Sequence, residues 1–597
     1  VADTPTGTAK LVLDLFNSAN ASRKKHEMRW YIGDNFLENN HFLKALNQLG
    51  QLEQIKFPTG IQIRPIPRAK KQIKSMVNLV LSNDPRWNIY PRPTIDLKKD
   101  PNAMAQYDET VRRLGQWFDD LWYFLDLKDQ IRKLVTYGYK YNVGYIEIGG
   151  DPEGNIFCDA YEPYDIWHES GISELKETSF LIKGVSRTLQ YIKNVKGQDS
   201  QPLYDPNATA QLKAESRLAL SDWKNIRLLE QNKGATKGIE DERIARVFLK
   251  ECWVKDGEEW TLVTESQGKT LREAKTGLKD LPFAAYSPQE GLLYQASELE
   301  DLIPMNKGID IQAAMLEGYA RTVAVARLLK QKMTKVTRSI GENGEIIEWE
   351  GAQPPVWLEP SAAPSSSVQV LQIYRDLMDE IGTSVVSFGK VPRGVKAAAA
   401  LEQLKNVEYA NAQTPIDRLA KTLEEVAEKI LDTGSRYFTE PVTIPHVTDG
   451  KPDPFQLVGE NSVASFNEQS GAIPISAQYM VKVEIESGVA YTEEGKRDAI
   501  MQLWNAKLLP AEEVLKAFKY SNVSDIIARL QEEQAQQTSI VQTPEFKNLP
   551  PQLRLQILQS LGVNVSGDVS AKIPLALLSG GAPAAPATPP APPVPQG

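Results

Sequence analysis

Ser387-Phe388-Gly389-Lys390-Val391-Pro392-Arg393-Gly394-Val395-Lys396 stands between two helix-forming stretches and decides how the chain is read. Gly389, Pro392 and Gly394 interrupt helix, because glycine costs backbone entropy and proline removes a donor and fixes φ. Lys390, Arg393 and Lys396 place three cations in the interruption. Ala397-Ala398-Ala399-Ala400-Leu401 then restarts helix at once. The stretch reads as a flexible basic loop mounted on two rigid rods. Taken alone it is an ordinary solvent loop; its mounting is what sets it apart.

Before the loop, Val370 to Val386 has helical spacing, and residues 336–368 do not. That earlier piece reads as strand, turn at Gly341-Glu342-Asn343-Gly344, strand Glu345 to Glu350, and a Pro/Ser-rich exit through Pro354, Pro355 and Pro364. Ahead of it, Ser297 and Glu300 have capping-box spacing and open a long helix running to Lys335, kinked at Pro304. Small residues recur along it at Gly308, Ala313, Ala314, Gly318, Ala320, Ala324 and Ala326, which permits close helix approach. After the loop, Ala397 to Tyr409 is helical, and Thr414 is expected to cap a second helix with Pro415 at its first position. Ile416, Leu419, Leu423, Val426, Ile430 and Leu431 form that helix's apolar face.

Residues 1–135 read mostly helical, at Lys10 to Ser18, His26 to Ile32 and Arg64 to Leu81. Ile73, Met76, Val77 and Val80 mark the buried face of the last. Trp87 to Tyr90 alternates as a short strand. Met104 to Tyr137 is a long amphipathic helix or pair, with Trp117, Leu121, Phe124 and Leu125 as the expected buried stripe. Strands follow at Gly144 to Ile148 and Ile156 to Cys158, joined by a turn at Gly149-Gly150-Asp151. More follow at Arg243 to Val254 and Glu259 to Thr264, with Ser266-Gln267-Gly268-Lys269 as a hairpin turn. Residues 186–240 are a polar helical insertion. Strands return over 441–490, most clearly at Val481 to Ile485, and residues 492–562 are helices. The uncharged Gly/Ala/Pro-rich end, Ser579 to Gly597, is expected to be disordered. The fold class is therefore α+β, mainly helical.

Composition narrows the function. The 597 residues exceed one ordinary core, and 41% hydrophobic with 24% charged residues is globular. A net charge of -9 argues against tight non-specific duplex binding, since cations neutralising phosphates supply that affinity. Cys158 and Cys252 are too few and too separated for a disulfide scaffold or thiolate zinc site. No apolar run reaches a membrane span, and Val1 to Lys10 lacks a signal-peptide pattern.

Catalytic motifs are missing from the sequence. His26, His41, His168 and His446 are scattered, without metal-ligand spacing. Gly268-Lys269-Thr270 resembles the end of a phosphate loop, but Val263 occupies the place of the upstream glycine. Paired acids such as Asp119-Asp120 and Glu424-Glu425 read as solvated helix faces. The expectation is a protein without catalysis, metal or cofactor.

The order helix, β insert, helix, basic loop, long helix resembles the portal proteins of tailed phages. Asn83-Asp84-Pro85-Arg86-Trp87 with Pro91-Arg92-Pro93, Tyr161-Glu162-Pro163-Tyr164-Asp165, and Arg497 to Trp504 add to the likeness, which spans roughly 25–535. The resemblance implies an elongated subunit: a wing at 1–296, stem helices at 297–335 and 369–386 around a clip at 336–368, and a tunnel loop at 387–396. A long wing helix with returning strands at 397–490, a helical crown at 491–562 and a tail at 563–597 complete it. It implies a homo-oligomeric ring, commonly of about twelve subunits, at one capsid vertex of the virion, assembled in the host cytoplasm. Double-stranded DNA is packaged and ejected through its axis.

On that reading Lys390, Arg393 and Lys396, with Gly389 and Gly394 for freedom, face DNA. Arg338, Glu345, Glu348 and Trp357 belong to the clip interface, which meets the terminase large subunit and later head–tail adaptor and tail proteins. Capsid and scaffold proteins are further partners; a membrane is not. Two alternatives stay open: another helical ring or scaffold component of a virion without a DNA channel, and an enzyme whose site is assembled from distant residues.

Overall fold

A computed structural model describes residues 7–44, 53–54, 63–82, 85–91, 111, 114–115, 117–118, 121–150, 156–197, 200–231, 241–257, 259–278, 280–322, 327–329, 335–336, 349–350, 356–358, 365–382, 398–437, 442–448, 451–457, 479–485, 501, 504 and 514. The chain divides into two compact units, residues 1–447 with 451–488, and 448–450 with 489–597. In the second unit Met501, Trp504 and Val514 are helical, as the sequence predicts for those positions.

The first unit is mixed helix and sheet. Helix α1 (Thr8–Leu37) joins two expected stretches into one 30-residue rod. Nothing between them breaks helix, and the buried Ala19, Arg23, Glu27 and Trp30 continue one face. Helix α2 (Arg68–Val80) buries Ile73, Met76, Val77 and Val80 as expected. Strand β1 (Leu43–Lys44) pairs with β2 (Glu53–Gln54) between these two helices. Strand β3 (Arg86–Pro91) follows, and then helical positions from 111 to 124.

The stripe expected at Trp117, Leu121, Phe124 and Leu125 is half correct. Trp117 and Leu121 are buried, but Phe124 is 75% exposed and Leu125 lies in a turn. Asp126 takes a left-handed conformation with φ 48°, which ends the helix and starts α3 (Leu127–Tyr141) on a new axis. A pair of helices, rather than one, resets the periodicity.

Strand β4 (Gly144–Gly150) pairs antiparallel with β5 (Ile156–Tyr161). Gly149 and Gly150 are strand residues here, not the turn: they face Phe157 and Ile156. A Cβ at Gly149 would stand 2.6 Å from the Phe157 ring, so the glycine makes room for that ring. Strands β6 (Ile166–His168), β7 (Phe180–Thr188), β8 (Arg246–Asp256), β9 (Glu259–Ser266) and β10 (Lys269–Lys275) form an antiparallel sheet ordered β10-β9-β8-β7-β6. Short helices α4 (Leu189–Asn194), α5 (Pro206–Thr209) and α6 (Asp222–Gln231) fill the insertion between β7 and β8. Gln267 (φ 52°) and Gly268 (φ 83°) make a two-residue hairpin turn, which excludes a phosphate loop there. Strand β11 (Phe283–Tyr286) completes the sheet β11-β4-β5.

Helix α7 (Glu298–Thr322), strands β12 (Arg327–Leu329), β13 (Lys335–Val336), β14 (Trp349–Glu350) and β15 (Val356–Leu358), and helix α8 (Ser365–Ile381) come next. Strand β12 pairs with β15 and β13 with β14, so the second hairpin is nested inside the first. The helix is shorter than expected: strand begins by Arg327, and the second helix starts already at Ser365. The small residues at helical spacing and the missing turn signal made the helix read as continuous past Thr322.

Helix α9 (Ala398–Tyr437) is one 40-residue rod, about 60 Å long at about 1.5 Å per residue. Pro415 lies inside it, not at the start of a second helix. The flanking turns outweigh the single lost hydrogen bond. The predicted face is right: Ile416, Leu419, Leu423, Val426, Ile430 and Leu431 are all buried. Strands β16 (Val442–Thr448) and β17 (Lys451–Leu457) pair with each other. Strand β18 (Tyr479–Glu484) returns to pair with β3, Val481 opposite Ile89.

The main core is aromatic. Trp30, Tyr31, Tyr141, Tyr145, Tyr164, Trp223, Trp253, Phe283 and Tyr294 pack where α1, α3 and both sheets meet. Beside it, in a neighbouring cluster, the Arg23 guanidinium sits over Trp167 at 3.8 Å from the ring centroid. The guanidinium donates to the carbonyl oxygens of Pro163, Tyr164 and Ile166, bracing the short turn that leads into β6.

Candidate functional site

The hairpin of α7 and α8 carries the β module, and both helices are fixed at one end. At the opening of α7 the Ser297 amide donates to the Glu300 carboxylate at 3.3 Å, one half of a capping box. The other half is not formed, since the buried Ser297 hydroxyl has no partner and Glu300 instead pairs with Arg29 at 2.5 Å. Glu298, Glu300 and Asp301 in the first turn suit the positive end of the helix dipole.

Two polar residues one turn apart tie α7 to the segment before α2. Asn306 accepts from the Ala69 amide at 2.8 Å and donates to the Ile66 carbonyl at 3.0 Å. Asp310 accepts from the Ile66 amide at 2.9 Å and bonds His41, whose ring stacks on Phe36. Both Asn306 and Asp310 are fully buried. On α8, Asp379 accepts from Arg68 at 2.5 Å and from Gln72 at 3.1 Å. The Gly382 amide closes the helix on the Met378 carbonyl at 3.1 Å. Gln72 packs so tightly there that a Cβ on Gly382 would stand 2.8 Å from it. Helix α8 thus ends in a clamp at Gly382, and residues 383–397 lie outside the described residues.

Helix α9 is anchored from Pro415 onward to β11 and its flanks. Arg418 donates to the Ser287 carbonyl at 2.6 Å, and Lys429 to the Leu281 carbonyl at 2.7 Å. Burial pushes the Lys429 ammonium below its ordinary pKa. Thr422 donates to the Ala285 carbonyl, and the Tyr286 hydroxyl reaches the Pro415 carbonyl at 3.3 Å.

Gly389, Lys390, Arg393, Gly394 and Lys396 lie outside the described residues, and so do Arg338, Glu345 and Glu348. Trp357 lies on β15, opposite Leu328 of β12. The elements that flank these predicted residues are in place; the residues themselves carry no structural statement.

Sequence reading missed the clamps. Asn306 and Asp310, four apart and so on one helix face, were the available signal; Gln72 and Gly382 gave none. It also missed a second charged centre, in a groove of about 510 Å³ bordered by α1, α2 and α3. At its base Asp34 is bonded by Lys140 at 2.7 Å, Tyr141 at 2.7 Å, Tyr164 and Arg227. Burial pushes that carboxyl up, but Lys140 and Arg227 beside it outweigh burial and hold it below the usual carboxylate range. Arg227 also pairs with Glu162 at 2.9 Å, and Lys224 with Asp165 at 2.5 Å. The motif Tyr161-Glu162-Pro163-Tyr164-Asp165 is thus a structural joint.

The remaining reactive groups are enclosed. Cys158 and Cys252 are free, buried thiols; burial raises both, Cys252 to about 12, so neither is a ready thiolate at neutral pH. His168 is buried, accepts from the Tyr145 hydroxyl at 2.7 Å and donates to the Glu169 carbonyl at 2.6 Å. Among the described residues no His/Cys/Asp/Glu group is arranged to hold a metal, and no helix is long and apolar enough to cross a membrane. No protein-family model matches the chain, and no curated protein matches it.

Proposed function

We propose that this chain is the portal subunit of a tailed phage: a ring-forming, non-catalytic conduit for double-stranded DNA at one capsid vertex. The observation that carries the reading is the α7–β12–β13–β14–β15–α8 hairpin, followed by the basic segment 387–396 and then by the long α9. This order supports reading α7 as a stem, the β insert as a clip, α8 as the return stem, residues 387–396 as a tunnel loop and α9 as a wing helix. Exposed apolar side chains on both stem helices fit packing against neighbours: Ile311 and Met315 on α7, and Ile373, Leu377 and Ile381 on α8.

The physics of transport favours such a chain. Strong phosphate binding along a channel would stall sliding duplex, and an acidic ring discourages it. Lys390, Arg393 and Lys396, repeated around the ring, make a narrow collar that touches the backbone without reading bases. The bonds at Gly382 on α8 and at Arg418 on α9 anchor the two helices between which that collar's loop lies in the chain, and its glycines give the loop freedom to shift. The clip docks the terminase large subunit during packaging and adaptor or tail proteins afterwards.

Native mass and negative-stain imaging test the assembly. Twelve copies of 66.6 kDa give roughly 0.8 MDa and a closed ring with a central hole. A monomer or dimer at micromolar concentration sinks the reading. Replacing Lys390, Arg393 and Lys396 with Ala should lower packaging and genome retention while rings persist. Deleting Gly341–Gly344 should spare the ring and impair motor or adaptor docking.

A further inference from the structure

We propose that the groove bordered by α1, α2 and α3 holds the phosphodiester backbone of a nucleic acid, laid along two cationic ladders. One ladder is Lys70, Lys74 and Asn78 on α2; the other is Arg132, Thr136 and Lys140 on α3. Each set is spaced by four residues, so each forms one face of its helix, and all six residues line the groove. The eight residues from first to last rung span about 12 Å of helix. A duplex strand carries a phosphate roughly every 3.4 Å, so three or so phosphates lie alongside that length.

The groove's carboxylates do not oppose such a ligand, because the buried ones are already matched. Asp34 takes bonds from Lys140, Tyr141, Tyr164 and Arg227, and Glu162 pairs with Arg227 at 2.9 Å and Lys224 at 3.5 Å. Lys140 and Arg227 hold the Asp34 carboxyl below its ordinary range in spite of its burial, so the field at the base is positive. Glu38 is the one carboxylate on the rim. Five cations against three carboxylates leave the lining two charges positive, in a chain whose net charge is -9.

The rim cations have no carboxylate of their own. Lys70, Lys74 and Arg132 are exposed, and among the described residues none of them makes an ion pair. The Asn78 side-chain oxygen accepts from the Arg132 guanidinium at 3.2 Å and so orients it at the groove. At the base, the buried Nε of Arg227 has no acceptor although its two terminal nitrogens are engaged. Unpaired cations at fixed intervals suit a polymer whose charges are also at fixed intervals, and such contacts position a backbone without reading bases. Three of them give a weak, salt-sensitive hold.

Lysine acylation of the full chain, mapped by mass spectrometry, tests the site with two probes, a short oligothymidylate and a duplex of equal length. Lys70 and Lys74 should lose reactivity by about five-fold or more with at least one probe. The exposed Lys10, Lys255 and Lys275, outside the groove, should keep theirs. Protection by the single strand alone places one backbone inside the groove; protection by the duplex places a backbone across its mouth. The half-protecting concentration should follow salt with a log–log slope of about 2 for the strand or about 3 for the duplex, as three phosphate contacts require. Arg132→Gln, with melting equal to wild type, should remove at least half of the protection at both lysines. No protection with either probe, equal protection of the three outlying lysines, or full protection in Arg132→Gln would each overturn the site. Oligoglutamate that protects as well as the nucleic acids would overturn it in favour of an acidic peptide. The readout is local and does not need rings, so its failure leaves the portal reading standing.

Discussion

Gly308 of α7 lies against the ring of Tyr374 on α8, so close that a Cβ there would stand 2.8 Å from three atoms of that ring or within a tenth of it. Helices α7 and α8 pack closely at this point. Gly308→Ala should therefore destabilise the subunit by about 1–3 kcal/mol, although alanine gains about 1 kcal/mol in helix propensity. Gly318→Ala, ten residues along the same helix with nothing within 4 Å, should stabilise by about 1 kcal/mol. Urea unfolding of the two variants separates close packing from propensity; equal effects of one sign would refute the packing argument.

The clamp at the end of α8 should be measurable by a double-mutant cycle. Arg68 and Asp379 are about one-fifth exposed, so their coupling should be about 1 kcal/mol. Gly382→Ala should cost more, because both Gln72 and the Met378 carbonyl stand within 3.0 Å of the new methyl. Hydrogen exchange of the Gly382 amide should accelerate in Asp379→Ala, and an unchanged rate would argue against the clamp.

His168 predicts a pH dependence. Burial lowers its pKa to about 4, with the Glu169 carbonyl opposing and Arg23 assisting. Between pH 6.5 and 4 the unfolded chain binds a proton there that the folded chain does not. Stability from neutral His168 is thus complete above about pH 6.5 and is lost as pH falls to about 4, on the order of 3 kcal/mol in total. Melting temperatures of wild type and His168→Phe across that range check it. The variant's profile should be flatter, and parallel profiles would exclude His168 as the titrating group.

Lys183 faces two carboxylates, Glu147 at 2.8 Å and Glu251 at 2.7 Å, inside the sheets. One ammonium cannot neutralise both, and burial with the neighbouring Glu251 leaves Glu147 raised despite the pairing. Lys183→Met should cost about 3–5 kcal/mol at neutral pH by stranding buried charge. Adding Glu147→Gln should recover a substantial part, and non-recovery in chemical denaturation would show that packing rather than charge is at stake.

The sequence revealed elements whose pattern is local. The α9 face from Ile416 to Leu431, the turn at Gln267-Gly268 and the alternation at β18 all repeat a period within a few residues. It failed where a partner distant in the chain decides. Phe124 has the spacing of a buried residue, yet the left-handed Asp126 turns the axis and leaves it in solvent. Arg23 and Asp310 look like surface charges and are buried, because carbonyls of the 163–166 turn and the amide of Ile66 need them. Pro415 reads as a start signal and lies mid-helix. The basic segment 387–396 lies outside the described residues, and the bonds that anchor α8 at Gly382 and α9 at Arg418 were not legible in the sequence.

The pairing of β3 with β18 also sets a clock. Pro91 leaves the ribosome long before Tyr479, its register partner. At roughly 5–20 residues per second that interval is on the order of 20–80 s. Throughout it, the edge carrying Trp87 and Ile89 has no strand to bond. A nascent chain therefore waits with a sticky edge open, and β18, the last described strand of the first unit, is the one that seals it. Slowed translation anywhere between these strands should raise the demand for chaperones more than the same delay after Glu484.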